Sequence, residues 1–162
     1  QMASFSFDVF TGDFARGLCS GGTLVLVPRE ILMQPERLFE LASAERVDIG
    51  EFVPAVLRDL VGHLDQTGRT LGFMRTVLCG SDSWNVAEYL RFRQYLGPET
   101  RLINSFGLTE ATIDSTWFEA ETLDPAQGDR MVPIGRPFAN TTLYIVDAAM
   151  QPAPIGVPGA KL

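Results

Sequence analysis

The 162-residue chain carries 13 basic and 20 acidic residues for a formal charge of −7, with 46% hydrophobic and 20% charged residues. That composition suits one globular domain with a real core, and the acidic balance argues against nucleic acid or an anionic membrane as its main partner. Cys19 and Cys79 make no disulfide framework and have no zinc-ligand spacing. No secretory leader pattern and no apolar run of about 18 residues is present, so a reducing, cytoplasmic setting is expected.

Ser4–Phe7 is predicted as a short strand, with Asp8 or Thr11 capping a helix to about Cys19. Ser20-Gly21-Gly22 turns the chain into an apolar strand, Thr23–Val27, stopped by Pro28. Pro35 opens an amphipathic helix to about Ala44 on the spacing of Leu38, Leu41 and Ala42. Then come a strand (Val47–Val53), a helix (Pro54–Leu64), a buried strand (Phe73–Cys79), a helix (Val86–Leu96) and a strand (Arg101–Asn104).

This alternation predicts an α/β fold, a mostly parallel sheet flanked by helices, with ligands outside the carboxyl ends of its strands. Those ends are Phe7-Asp8, Glu51-Phe52, Cys79-Gly80-Ser81 and Asn104-Ser105-Phe106. After Asp124 the pattern changes to a polar loop, a strand at Thr142–Val146, a hairpin turn at Asp147–Gln151 and the stretch Pro152–Gly159. A C-terminal antiparallel β portion is predicted there, dividing the chain into an α/β ligand-binding portion (1–123) and a β-rich portion (124–162). The chain opens in a strand pattern and has Lys161 as its only lysine near an end without a closing helix. It is expected to be a segment of something longer.

Arg101–Glu110 carries the chemistry. A strand runs into a loop offering an amide (Asn104), an aromatic face (Phe106), a glycine (Gly107), a hydroxyl (Thr109) and a carboxylate (Glu110). An adenine needs a ring and a hydrogen-bond partner, and a phosphate-bound magnesium needs a carboxylate oxygen. Residue types alone favour the plainer reading, a polar loop after a strand with Phe106 in the core and Asn104 tying loop backbone together.

Asn-Ser-Phe-Gly-Leu-Thr-Glu (104–110) resembles the Asn-x-Tyr-Gly-Pro-Thr-Glu motif of the adenylation domains of nonribosomal peptide synthetases, with Phe106 for tyrosine and Leu108 for proline. Ser6-Phe7-Asp8, Met74–Asp82, Ile134–Pro137 and Gly156–Gly159 resemble further segments of that family in the same order; Ser81, Asp82 and Ala160-Lys161 depart from it. The resemblance implies that Asn104 and Phe106 face the adenine with Ser81 beside them and that Gly107 belongs to the nucleotide site. Thr109 would contact the α-phosphate and Glu110 would hold Mg2+. ATP would be consumed, and the aminoacyl group would pass to a carrier-protein phosphopantetheine. Neighbouring carrier-protein and condensation domains would be the partners.

The resemblance also implies the amino-acid pocket: Asp8, Val9, Gly12, Glu51, Leu78, Gly80, Ser105, Ile113 and Asp114. Asp8 would pair the substrate's α-ammonium. Glu51 and Asp114 are two further carboxylates, and burying a carboxylate unpaired costs on the order of several kcal/mol. They need a cation, and a side-chain ammonium of the substrate would serve both; alternatively, an arginine of the protein pairs Glu51. The set is similar to the pattern of ornithine-activating domains, with Leu78 for isoleucine, so a basic amino acid is expected, ornithine first, then modified ornithine or lysine.

The family's phosphate loop, ribose-binding aspartate and C-terminal lysine lie outside this sequence, so the fragment alone is expected to be inactive. Two alternatives stand beside this reading: an acyl- or aryl-CoA ligase, against which Asp8 speaks, and a non-catalytic degenerate scaffold. His63 is expected to be a partly exposed helix residue, Cys19 and Cys79 to be small buried residues, and Asn140-Thr141-Thr142 to be a plain turn.

Overall fold

Pro54 and Gly68 bracket a helix for opposite reasons. The proline ring lacks an N–H where a first turn has no partner for one, and Gly68 takes a left-handed φ of 66° and donates to Leu64 O at 2.9 Å. Between them Leu57, Leu60, Val61 and Leu64 recur at helical spacing and are all buried, each contributing roughly 1.5–3 kcal/mol by leaving water. In the computed structural model, which describes residues 1–120 and 123–160, this helix links two strands of one sheet.

The strands are β1 (Ile49–Phe52), β2 (Thr76–Cys79), β3 (Arg101–Phe106), β4 (Thr116–Phe118) and β5 (Arg136–Pro137), in that order across the sheet. The first three are parallel; β4 and β5 add antiparallel to the β3 edge. The helices are α1 (Val9–Leu18), α2 (Arg29–Leu32), α3 (Pro35–Ala44), α4 (Pro54–Thr67) and α5 (Val86–Arg93). Helices α4 and α5 are the crossovers between the parallel strands. The fold is the expected α/β class: a mixed sheet, parallel then antiparallel, with helices.

Register decides which side chains meet. Glu51 lies opposite Leu78, and Leu78 opposite Ile103, while Phe52, Cys79 and Asn104 align one residue on. Because strand side chains alternate, Glu51, Leu78, Gly80 and Ser105 share one face and Phe52, Cys79 and Asn104 the other. The second face carries the core, where Phe52, Val77, Cys79 and Leu102 pack with α3, α4 and α5. Trp84 and Phe92 stack there at 5.5 Å, and Tyr89 donates from its hydroxyl to Leu102 O at 2.8 Å.

Several expected elements differ. Ser4–Phe7 is a hydrogen-bonded turn, closed by Phe7 N donating to Ser4 O at 3.0 Å, because the serine hydroxyls and the Asp8 cap offer the backbone local partners. Thr23–Val27 makes ladder bonds only to Gln1, too few for a strand. Thr142–Val146 forms one bridge, Val146 to Pro152, since a proline has no N–H to extend the ladder; the Asp147–Gln151 turn is present, held by the Asp147 carboxylate. Residues 124–137 bond to the α/β portion: Val86 N donates to Arg130 O, Val132 N to Trp84 O, and β5 joins the main sheet. Cys79 is buried as expected, whereas Cys19 is exposed. Lys161 lies outside the described residues. No helix among them is long and apolar enough to cross a membrane.

Candidate functional site

A cavity of about 660 Å3 opens at the carboxyl ends of the strands. Its walls are the 2–9 segment with the first residue of α1, the end of β1, Ser81, and the loop from Gly107 to Asp114. Sheet register brings β1 here, and helix capping brings Asp8, whose carboxylate accepts from Val9 N at 2.8 Å as it lines the cavity.

The loop is folded under constraint. It leaves β3, makes a 3-10 turn at Thr109–Ala111 and returns as β4, with Ser115 N donating to Phe106 O at 2.9 Å. Thr112 and Ile113 both hold left-handed φ values, 66° and 69°, rare for β-branched residues and costing on the order of 1–3 kcal/mol each. A Cβ on Gly107 would stand 1.7 Å from Ile113 O, so only glycine lets the loop close on itself. The outcome is that Ile113 and Asp114 line the cavity together with Thr109 and Glu110.

Of the residues named from sequence, Asp8, Val9, Glu51, Ser81, Gly107, Thr109, Glu110, Ile113 and Asp114 line this one cavity. Gly12, Leu78, Gly80 and Ser105 stand behind it. A Cβ on Gly12 would make only an ordinary contact with Ile113, at 3.6 Å, whereas one on Gly80 would stand 2.5 Å from Ser105 Oγ, so it is Gly80 that lets the end of β2 lie close against β3. The Ser105 hydroxyl supports the Asp114 carboxylate.

Asn104 is directed elsewhere. It lies on the core face, 5% exposed, accepting from Trp84 Nε1 at 2.8 Å and donating to Pro133 O at 2.8 Å. These two bonds are those of the alternative in which Asn104 ties backbone together. Phe106 is half-exposed at the end of β3 and does not line the cavity.

The cation that Glu51 requires is in the chain. Arg16, on α1, donates from Nη2 to Glu51 Oε2 at 2.9 Å and from Nη1 to Asp13 Oδ1 at 2.9 Å. Glu51 therefore does not depend on a ligand for its counter-charge: of the two expectations, the pair with an arginine of the protein is the one present. Sequence reasoning missed Arg16 as a site residue; the signal was its spacing, one turn after Gly12 and two after Asp8 and Val9. Burial pushes the Glu51 carboxyl upward from its ordinary range, and the guanidinium opposes that. Burial also raises Asp114 and Asp13, each partly offset by a hydrogen bond and by Arg16. Among the described residues Asp114 has no ion-pair partner, and no group of three or more His, Cys, Asp or Glu side chains is arranged to hold a metal.

Comparison with known proteins agrees with this architecture. A family profile described as AMP-binding enzyme matches residues 1–160. Tyrocidine synthase 3 of Brevibacillus parabrevis is 40% identical over 159 residues, covering 98% of this chain and 2% of that protein. Bacitracin synthase 2 of Bacillus licheniformis is 35% identical over 159 residues, covering 98% and 6%. The chain thus spans a small part of the curated relatives it matches. Among solved structures, the nonribosomal peptide synthetase FmoA3 in its α-methyl-L-serine-AMP bound form superposes with a TM-score of 0.82 at 29% identity, over 94% of this chain and 17% of that one. CmiS6 superposes at 0.83 with 26% identity, over 96% and 37%. The chain belongs to the AMP-binding enzyme family, as a segment of the kind that nonribosomal peptide synthetases contain.

Proposed function

We propose that this segment provides the amino-acid pocket and part of the nucleotide site of an amino-acid-adenylating ligase. The observation that carries the reading is one cavity in which a carboxylate at a helix start, Asp8, meets a hydroxyl and a carboxylate on a 3-10 turn, Thr109 and Glu110. Asp8 binds the α-ammonium and orients the substrate's own carboxylate. An oxygen of that carboxylate attacks the α-phosphorus of ATP as the bond to pyrophosphate breaks, giving aminoacyl-AMP. Thr109 donates to the α-phosphate, and Ser81 and Phe106 border the nucleotide.

Glu110 is a single carboxylate. That suits Mg2+, which is commonly held by one or two carboxylates and the substrate's phosphates rather than by a protein cage. Charge neutralisation at phosphorus is what the ion supplies. The aminoacyl group then passes to the thiol of a carrier-protein phosphopantetheine, with neighbouring carrier-protein and condensation domains as partners.

The substrate is a basic amino acid, ornithine first. Arg16 offsets one negative charge, but Asp13 and Glu51 both pair with that single guanidinium, Asp114 lies in its field without pairing, and Asp8 is reserved for the α-ammonium. A side-chain ammonium brings the surplus closer to balance. Amino-acid-dependent ATP–pyrophosphate exchange by the full-length protein containing this segment tests both parts. Ornithine is expected to be turned over best; leucine or glutamate turned over better would overturn the substrate assignment, and no exchange with any amino acid would overturn the ligase reading.

A further inference from the structure

We infer that Arg16 is a positioning residue for substrate selection: anchored to Asp13, it holds the Glu51 carboxylate ionised in the pocket wall so that a cationic side chain can be recognised there. The inference rests on the proposed reading of the cavity as an amino-acid pocket that takes a basic substrate.

Three observations carry it. The first is geometry. Arg16 uses one nitrogen for each of two carboxylates, both at 2.9 Å, and Asp13 lies one helical turn before it, so the guanidinium is braced from its own helix while it reaches β1. The second is position. Glu51 lines the main cavity and also a second one of about 390 Å3, whereas Arg16 lines only the second. The ion pair therefore stands where the two cavities meet, with the guanidinium on the second cavity's side only. Only Oε2 of Glu51 is engaged, which leaves Oε1 without a protein partner.

The third is burial. The Glu51 side chain is 5% exposed against 33% for Arg16, so the carboxylate bears the desolvation and the arginine opposes it. The other charges facing Glu51 are Asp13 from α1 and Asp114 from the returning loop, and both favour its protonated form. Leu78 of β2, directly opposite, is uncharged. Among the described residues Arg16 is thus the one cation that favours the charged form of this acid. A neutral Glu51 would offer an ammonium no counter-charge.

The test uses the full-length protein, with L-ornithine and with L-norvaline, which has the same chain length but no side-chain amine. KM for each is read by pyrophosphate exchange between pH 6 and 8.5. The wild-type preference for ornithine should vary little across that range. In Arg16→Gln it should fall with pH, by up to about tenfold per unit below the pKa of the released Glu51, with KM for ATP following the wild-type profile. Arg16→Lys should restore the preference to within about threefold.

A wild-type protein that does not prefer ornithine sinks the basic-substrate reading, and this inference with it. A clear wild-type preference that R16Q retains at every pH overturns the role of Arg16 alone. Should R16Q fail to fold, R16K decides: a preference lost at pH 8 as fully as at pH 6, with the cation still present, would mean that Arg16 acts through packing and not through charge.

Discussion

The Trp84 indole donates to the Asn104 side-chain oxygen at 2.8 Å, inside the core and across the sheet from the cavity. Asn104 therefore joins three parts of the chain: β3, the segment before α5, and Pro133 beyond it. Asn104→Ala leaves a buried indole N–H and a carbonyl unmatched, and should lower stability by about 1–3 kcal/mol. Denaturant unfolding would measure that loss. KM for ATP should change by less than the stability loss implies; a larger rise in KM would show direct contact with the nucleotide.

Gly80 is fixed by proximity. An added Cβ would meet Ser105 Oγ at 2.5 Å and the Ser105 carbonyl at 2.7 Å. Gly80→Ala should cost about 1–3 kcal/mol through displacement of β3. Because the second contact is backbone, Ser105→Ala in the same protein should recover only part of the loss, and full recovery of the melting temperature would contradict this contact.

At the start of α5, the Asn85 side chain accepts from Glu88 N while the Glu88 carboxylate accepts from Asn85 N, both at 2.9 Å. Asn85→Ala removes half of this reciprocal cap and should destabilise by about 1 kcal/mol. Glu88 also pairs with Arg58 on α4, so the helix start is tied to its neighbour. Thermal unfolding of the Asn85→Ala protein measures the cap, and an unchanged melting temperature would mean that the Arg58–Glu88 pair suffices alone.

Asp114 gives a pH signature. Burial raises its pKa in the folded protein, so the folded state keeps the proton to higher pH than the unfolded chain does. Its contribution to stability is then fully present below the unfolded value and lost as pH rises through the folded one. Asp114→Asn should therefore gain stability relative to wild type as pH rises from about 4 to 8. Melting temperatures of the two proteins across that range would show it; a constant difference would mean that the carboxylate is not desolvated.

The parallel half of the fold was legible because short apolar runs such as Val77-Leu78-Cys79 and Leu102-Ile103 alternate with helices that keep one apolar stripe, as α4 does from Leu57 to Leu64. The antiparallel edge was not. Strand β4 is three residues and β5 two, too short for periodicity to register, and Pro137 in β5 reads as a strand breaker. At the site, Asp8, Thr109, Glu110 and Asp114, which the family resemblance implied, line one cavity. Two facts lay beyond the resemblance. Which face of β3 carries Asn104 depends on register with β2, and the partner of Glu51 sits 35 positions away on a helix with no buried residues.

The clip between Phe106 and Ser115 has a consequence for recombining such domains. The loop it closes carries the turn with Thr109 and Glu110 as well as Ile113 and Asp114, and both its ends are paired into one sheet edge. Under the proposed function, nucleotide contacts and side-chain selection would therefore belong to one covalent cassette with a fixed footprint. Swapping single pocket positions within it asks Thr112 and Ile113 to keep their unusual backbone against new neighbours. Exchanging residues 106–115 whole, with Gly107 included, carries the geometry along with the chemistry.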